Sequence, residues 1–224
     1  MLRLSLLIAA KDLRLLLFRS GAISQALLLG LLLIFVFSLS APPGESASPE
    51  AAAAIFWLCS IFCQILIFTQ LYALEEPNGV RDGLLMLPAP SQGIWLGKAA
   101  AGAILLLISQ LVFLPAAFAF LNLSLAGPFW PGLAAIGCAD LGICALGSLL
   151  GALSLGAGGR ESLLSIVLFP LLIPLILAGI GLGAAPLGGS MADASQWLLI
   201  AASFDLVYLG AGLLLFGFIF QEGE

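Results

Sequence analysis

Long apolar runs dominate the chain, and short polar stretches separate them. A helix needs about 20 mainly apolar residues to cross a bilayer. Six runs meet that length, at roughly residues 20–40, 52–74, 97–121, 132–155, 162–184 and 195–219. The runs are continuous and do not alternate apolar with polar positions, so they predict helices rather than the strands of a barrel. The pattern predicts an all-α polytopic membrane protein in which residues 1–224 form one transmembrane domain.

Residues 1–19, before the first long run, show a different pattern. On a helix, one sector would be apolar and the remainder polar. The apolar sector comprises Leu2, Leu6, Ala9, Leu13 and Leu16, and the polar remainder comprises Arg3, Ser5, Lys11, Asp12 and Arg14. This distribution predicts an amphipathic helix that lies in the membrane surface. The alternative is a basic flank that only orients the first transmembrane helix.

Composition agrees with this class and excludes several functions. Only 8% of the residues are charged and the mean hydropathy is +1.21, whereas soluble domains have about 25% charged residues. The chain has no histidine, which removes the commonest general base and metal ligand. The stretch Gly93–Lys98 is one residue too short for a nucleotide-binding loop and lacks its hydroxyl. We therefore expect a chain that is not an enzyme, binds no cofactor, and leaves any ATP to a partner. The net charge of −5 argues against nucleic acid.

The basic residues predict the orientation. With six helices, all seven basic residues fall on one side, whereas the loops around 41–51, 122–131 and 185–194 have none. Positively charged loops stay on the cytoplasmic side. Both termini are therefore expected in the cytoplasm.

Several residues inside the apolar runs are candidates for function or for packing. Asp140 and Asp205 are carboxylates in the fourth and sixth runs, and either interhelical hydrogen bonding or a polar pathway would explain them. Gly147 and Gly151 form a GxxxG pair, which is typical of close helix packing and of a possible subunit seam. The cysteines Cys59, Cys63, Cys138 and Cys144 are interpreted as small buried residues rather than as a metal or redox site.

Pro170 and Pro174 are candidates for a helix break in the fifth run, because each removes a backbone donor. Bent or broken helices are common where transporters open a path, but proline is also frequent in ordinary membrane helices.

Residues 75–97 form the one sizeable loop on the predicted cytoplasmic side. Val80–Leu87 can form a short helix, stopped by Pro88 and Pro90. A rigid helix between two membrane helices predicts a dock for a soluble partner. The candidate contacts are the charged Glu75, Glu76, Arg81 and Asp82, expected to be exposed, the apolar Leu84, Leu85 and Leu87, and the rigid stop Pro88.

Two segments resemble a known family. GVRDGLLMLPAPSQGIWLGK is similar to a segment of ABC-transporter permeases, and SLLSIVLFPLLIPLIL resembles the fifth helix of the haem exporter protein B (CcmB) family, with Pro170 and Pro174 in place. The resemblance extends over the whole chain. Thr69-Gln70 departs from it, because the family usually has Glu-Arg there.

The resemblance implies an ABC-2-like permease subunit in the inner membrane that takes part in cytochrome c maturation. A separate ABC ATPase would bind ATP and act on the 75–97 loop. Other membrane subunits and a haem chaperone would handle haem. The expected partners also include a second copy of the chain and membrane lipid. Two alternative functions remain. One is a stand-alone secondary transporter of a small solute that uses Asp140 and Asp205, and the other is a membrane scaffold without transport.

Overall fold

The computed structural model describes residues 2–18, 21–40, 45–75, 83–84, 90–156 and 161–221. Its long elements are helices, in the order α1 (Leu2–Phe18), α2 (Ala22–Ser40), α3 (Pro49–Ala73), α4 (Gln92–Phe120), α5 (Trp130–Gly156), α6 (Glu161–Gly183) and α7 (Ala194–Gln221). A short 3₁₀ turn at Ala185–Leu187 precedes α7. No strand occurs in these ranges.

Helices α2 to α7 contain six spans long and apolar enough to cross a membrane, which confirms the predicted class. The largest difference is at α4, which begins at Gln92 rather than near residue 97. Helix α3 begins early because Ser48 caps it: its hydroxyl accepts a hydrogen bond from the Ala51 amide at 3.2 Å, and Pro49 occupies the first turn. Both features are preferred at helix N-termini.

Helix α5 is central and packs against α3, α4, α6 and α7, while α2 packs against α3 and α4. The consecutive spans alternate in direction, so the bundle has two ends. We call the end where α1 lies the α1 end, and the other the opposite end. At the opposite end, hydrogen bonds join the loops: the Ala47 amide donates to the Leu121 carbonyl at 3.2 Å, and the Gly127 amide donates to the Pro186 carbonyl at 3.0 Å.

Helix α1 packs on the first turns of α4, where glycines permit a close approach. A Cβ on Gly97 would lie 2.8 Å from the Ser5 carbonyl oxygen, and one on Gly93 would lie 3.1 Å from the Leu4 side chain. The glycines of the incomplete nucleotide-loop match therefore serve helix packing.

The predicted N-terminal helix is confirmed, but its faces differ from the expected ones. The buried residues are Ser5, Ile8, Ala9, Asp12 and Leu16, a mixed face that contains polar groups. Leu2 and Leu6, which were expected in the same sector as Ala9 and Leu16, are exposed. The mixed face turns inward because Asp12 meets a buried cation on α4. The position of α1 in the membrane surface stays a prediction.

Pro170 and Pro174 do not break α6, which is helical throughout Glu161–Gly183. Membrane helices tolerate proline where neighbouring groups satisfy the nearby backbone. Here the Tyr208 hydroxyl of α7 donates a hydrogen bond to the Leu171 carbonyl, between the two prolines. The structure thus shows no break at either proline, and a bend there stays a prediction.

The GxxxG pair of α5 packs against aromatic rings, not against another backbone. A Cβ on Gly147 would lie 2.5 Å from the Phe68 ring, and one on Gly151 would lie 2.5 Å from the Tyr72 ring. Phe68 and Tyr72 are four residues apart on α3, so both rings face α5. Gly102 of α4 approaches the tip of the same ring, where its Cβ position would lie 2.5 Å from Phe68 Cζ. The glycines therefore form notches within one chain, and the described contacts give no subunit seam here.

We predict that Gly147→Ala destabilises the protein while Gly137→Ala does not. The added methyl at position 147 would overlap a ring that Gly102 of α4 also contacts closely, and such overpacking costs about 1–3 kcal/mol. Gly137 lies on the same helix with nothing within 4 Å of its Cβ position, so alanine there changes only helix propensity. Thermal unfolding of both purified variants in the same detergent measures the difference. Equal midpoints would contradict the notch.

Candidate functional site at the α1 end

Four charged side chains from three parts of the chain meet at the α1 end. We call Lys11, Asp12, Glu75 and Lys98 the ionic cluster. The Lys98 ammonium lies 2.8 Å from Glu75 Oε1 and 3.4 Å from Asp12 Oδ2. Lys11 lies 3.0 Å from Asp12 Oδ1 and 3.8 Å from Glu75 Oε1. The cluster joins α1, the residue pair that follows α3, and the beginning of α4.

Lys98 is the centre of the cluster, because its side chain has 0% exposure. Removing an ammonium from water costs several kcal/mol unless it is paired and hydrogen-bonded. Besides the two carboxylates, Lys98 donates to the Leu71 carbonyl at 2.7 Å and lies 4.6 Å from the centroid of the Tyr72 ring, within the range of a cation–π interaction. The last turn of α3 thus supplies both a carbonyl and a π face to this cation.

Glu75 is buried at 0% exposure, so its expected exposure on the loop is wrong. Burial raises the pKa of its carboxyl, and the positive charge of Lys98 opposes that shift. The side chain folds back because Lys98 needs an anion at this depth. Glu75 therefore fixes the first residue of the loop to α4 and presents no charge to a partner.

The cluster continues into α5 through Tyr72. The Tyr72 hydroxyl donates to the Ser148 carbonyl at 2.6 Å, and the Ser148 hydroxyl donates to the Trp95 carbonyl at 3.2 Å. The Trp95 indole N–H then donates to the Ala145 carbonyl at 3.3 Å. These contacts tie α3, α4 and α5 together within one or two turns of Lys98.

Most of the predicted docking segment lies outside the described residues. That applies to Glu76, Arg81, Asp82, Leu85, Leu87 and Pro88. The described pair Gly83 and Leu84 is helical, in agreement with a helix in Val80–Leu87. Gly83 is exposed with nothing within 4 Å of its Cβ position. Leu84 is half-buried and packs against the core of this chain, so it is not wholly available to fill a groove on a partner.

Asp140 belongs to α5, and Asp205 of α7 packs against the opposite face of that helix. Asp140 is 5% exposed and accepts a hydrogen bond from the Gln110 amide of α4 at 2.8 Å. Asp205 of α7 approaches α5 at Gly142, where a Cβ would lie 2.3 Å from its Oδ1. Two residues along a helix correspond to about 200° of rotation, so the two carboxyls do not share one polar site. Asp140 makes the interhelical contact expected of a structural carboxyl, and a transport role for either stays a prediction.

The cysteines are free thiols, and Cys59, Cys63 and Cys144 are buried. The Cys63 thiol donates to the Ser109 hydroxyl at 3.3 Å, and the Gln64 amide donates to the Cys144 sulfur at 3.0 Å. Their contacts are those of small core residues. No group of three or more potential metal ligands occurs within the ranges that the structure describes.

No local sequence pattern shows which residues form the ionic cluster, because Lys98 and Asp12 are 86 residues apart. One signal was present: Lys98 lies in the first two turns of an apolar helix, where an unpaired charge would be costly. Its need for a buried anion could have been inferred, but not which carboxylates supply it.

The fold and the cluster together define a polytopic α-helical membrane protein in which the first residue of the α3–α4 loop, Glu75, is ion-paired to Lys98 of α4. A family model for the CcmB protein matches residues 3–218, so the chain belongs to the CcmB family. It is also 28% identical over 203 residues to heme exporter protein B of Paracoccus denitrificans (strain Pd 1222), over 89% of this chain and 90% of that protein. The resemblance drawn from the two sequence segments is confirmed.

We predict that Lys98→Met destabilises the protein far more than Lys11→Met. Without Lys98, two buried carboxylates keep only the partly exposed Lys11, and breaking a buried ion pair on one side costs about 3–5 kcal/mol. Lys11 is 40% exposed, and an exposed pair contributes only about 0–1 kcal/mol. Methionine keeps most of the lysine volume in both variants, so thermal unfolding in detergent reports the charge. Adding Asp12→Asn and Glu75→Gln to Lys98→Met should recover much of the loss. Equal costs for the two lysine variants would contradict the cluster geometry.

Proposed function

We propose that this chain is the membrane permease subunit of an ATP-driven ABC-type complex that serves heme export in cytochrome c maturation. Membership of the CcmB family and the name of the Paracoccus relative support a membrane component of heme export. A separate ATPase would hydrolyse ATP, and this chain would transmit the resulting motion. Other membrane subunits, a haem chaperone and a second copy of the chain would complete the assembly in the inner membrane.

One observation carries the coupling part of the proposal: the loop between α3 and α4 is fastened where it leaves the bundle. Glu75 at its start and Lys98 in α4 are ion-paired at 2.8 Å, and Asp12 joins α1 to the same ammonium. A force applied to residues 76–90 would therefore reach α1, α3 and α4 together. A loop on a flexible root would lose that displacement.

In this proposal the partner subunits carry out the chemistry, and this chain performs no chemical step. It has no histidine to ligate haem, and histidine is the commonest protein ligand of haem iron. Haem and ATP are accordingly assigned to partner subunits. The role of Glu75 in docking becomes indirect, because it holds the loop root, while Arg81 and Asp82 stay the proposed charged contacts.

We predict that Gly83→Tyr reduces binding of the ATPase without unfolding the permease. Gly83 is exposed and its Cβ position is open, so tyrosine meets nothing within the chain but would obstruct a partner seated on the loop. Overpacking of about 1–3 kcal/mol corresponds to a loss of about 5- to 150-fold in affinity. The measurements are co-purification of the ATPase and the yield of covalently haem-bound cytochrome c.

The matched control is Ala192→Tyr, which places the same side chain at an exposed loop position of the opposite end. It should leave both measurements at the wild-type level. If Gly83→Tyr also retains the ATPase and full cytochrome yield, the loop is not the dock. If no ATPase co-purifies with the wild-type permease from its native membrane, the proposed class is wrong.

The orientation is tested by labelling single cysteines in a background without the four native ones. Ser46, Ser124 and Ala192 are exposed at the opposite end, and Gly83 is exposed at the α1 end. With the α1 end in the cytoplasm, an impermeant thiol reagent should label the first three positions in intact cells and Gly83→Cys only after permeabilisation. Labelling of Gly83→Cys in intact cells would reverse the orientation.

A further inference from the structure

A large cavity lies at the opposite end, away from the ionic cluster. It has a volume of about 360 Å³ and lies between the first turns of α3 and α5, the last turns of α4, and the 3₁₀ turn. An apolar cavity of about 150 Å³ already admits a molecule as large as benzene. The space is therefore large enough for a ligand and is unlike an ordinary packing defect.

Every residue that lines this cavity is apolar or glycine. The floor is formed by side chains with almost no exposure, among them Trp57 at 1%, Ala135 at 1% and Ala52 at 2%. The mouth is formed by exposed side chains, Leu133 at 70% and Leu114 at 45%. Both mouth residues belong to candidate membrane spans. Part of the mouth therefore borders the sides of two membrane spans, where bilayer hydrocarbon would lie, and part is bordered by the exposed loop residues Leu125 at 53% and Phe129 at 62%.

The charged residues near the mouth limit which kinds of ligand can bind in the cavity. The described residues 45–53, 121–136 and 183–197 contain no lysine or arginine, and their charged side chains are the acidic Glu45, Glu50 and Asp193. Glu50 lies one turn before the lining residue Ala53 on α3. No cation here could balance a ligand of net negative charge, and the acidic groups would repel one, whereas a zwitterionic headgroup carries its own cation beside its phosphate. An anionic lipid headgroup and the propionates of haem are both disfavoured, and the lining offers no ligand for iron.

Exposed aromatic side chains beside the mouth indicate its depth in the bilayer. Trp130 is 50% exposed and Phe129 is 62% exposed, directly beside the cavity at the start of α5. Exposed tryptophan is enriched at the membrane–water interface. A lipid whose headgroup lies level with Trp130 would therefore carry its acyl chain past Leu133 and down to the floor at Trp57.

We propose that this cavity binds one acyl chain of a zwitterionic phospholipid, with Trp57, Ala52 and Ala135 at the buried end of the chain. The site follows from the lining, the volume, the mouth that borders two membrane spans and the absence of basic groups near it. It depends on membrane insertion alone, so it stands whether or not the loop at the α1 end is the ATPase dock.

The test is photolabelling of the full chain in nanodiscs with phosphatidylcholine that carries a diazirine in its acyl chain, mapped by mass spectrometry. Lipid around the bundle labels exposed positions such as Leu111. The proposal expects labelling of Trp57 and Ala135 at a comparable level, and only background at Leu71, which is equally buried on α3 but does not line the cavity. Background labelling at Trp57 and Ala135 would overturn the proposal.

Two filling variants separate occupancy of the cavity from general access. Ala135→Leu and Ala117→Leu add volume at opposite walls, and each should reduce labelling of Trp57 to background. Ala134→Leu changes the neighbouring residue of α5, which does not line the cavity, and should leave the labelling unchanged. Full labelling of Trp57 in both filling variants would overturn the site. The two substitutions lie on different helices, so the test still works if one variant fails to fold.

Two further comparisons decide the identity of the occupant. Diazirine-labelled phosphatidylglycerol should label Trp57 less than phosphatidylcholine does, and equal or stronger labelling would overturn the zwitterionic assignment. The experiment is then repeated on the assembly purified with its partner subunits. Loss of Trp57 labelling there would show that a protein partner fills the cavity and would overturn the lipid assignment.

Discussion

The buried ammonium of Lys98 sets the main constraint on this structure. A cation with no exposure must be surrounded by acceptors, and it draws these from three separate parts of the chain: Asp12, Glu75 and the carbonyl of Leu71. Each acceptor fixes one element, because α1, the root of the loop and the last turn of α3 cannot move away without leaving charge unpaired at low dielectric. Together with the packing of α1 on Gly93 and Gly97 of α4, the ionic cluster attaches α1 to the bundle.

The two ends of the bundle differ in chemistry. At the α1 end, ion pairs and hydrogen bonds converge on Lys98 and extend through Tyr72 to Ser148. At the opposite end, backbone hydrogen bonds between loops surround a cavity without polar side chains. Polar contacts specify one geometry because each partner must be satisfied, whereas apolar surfaces tolerate several packings. Fixed geometry at the α1 end suits the transmission of force, and an adaptable apolar surface suits contact with lipid.

The sequence predicted the helices well, because lipid requires about 20 apolar residues for each crossing and forbids most alternatives. It predicted the contacts less well. The pairing of Lys98 with Asp12 joins residues 86 positions apart, and no local pattern encodes such a partner. Gly147 and Gly151 were correctly interpreted as packing residues, but the rings that fill their notches come from α3. Pro170 and Pro174 were candidates for a break in α6, but the helix continues through both, because proline alone does not decide whether the surrounding bundle keeps a helix intact.

The ring of Phe68 lies between Gly102 of α4 and Gly147 of α5, with α3 supplying the ring itself. The Phe68 ring therefore contacts two helices besides its own, and the fit depends on the absence of a side chain at both glycines. If α5 slid along α4 by one residue, about 1.5 Å, the close fit of Gly147 and Gly102 against the Phe68 ring would be lost. Packing therefore resists sliding between these helices. A rearrangement of the subunit that keeps this fit would move α2, α6 or α7 and leave α3, α4 and α5 together.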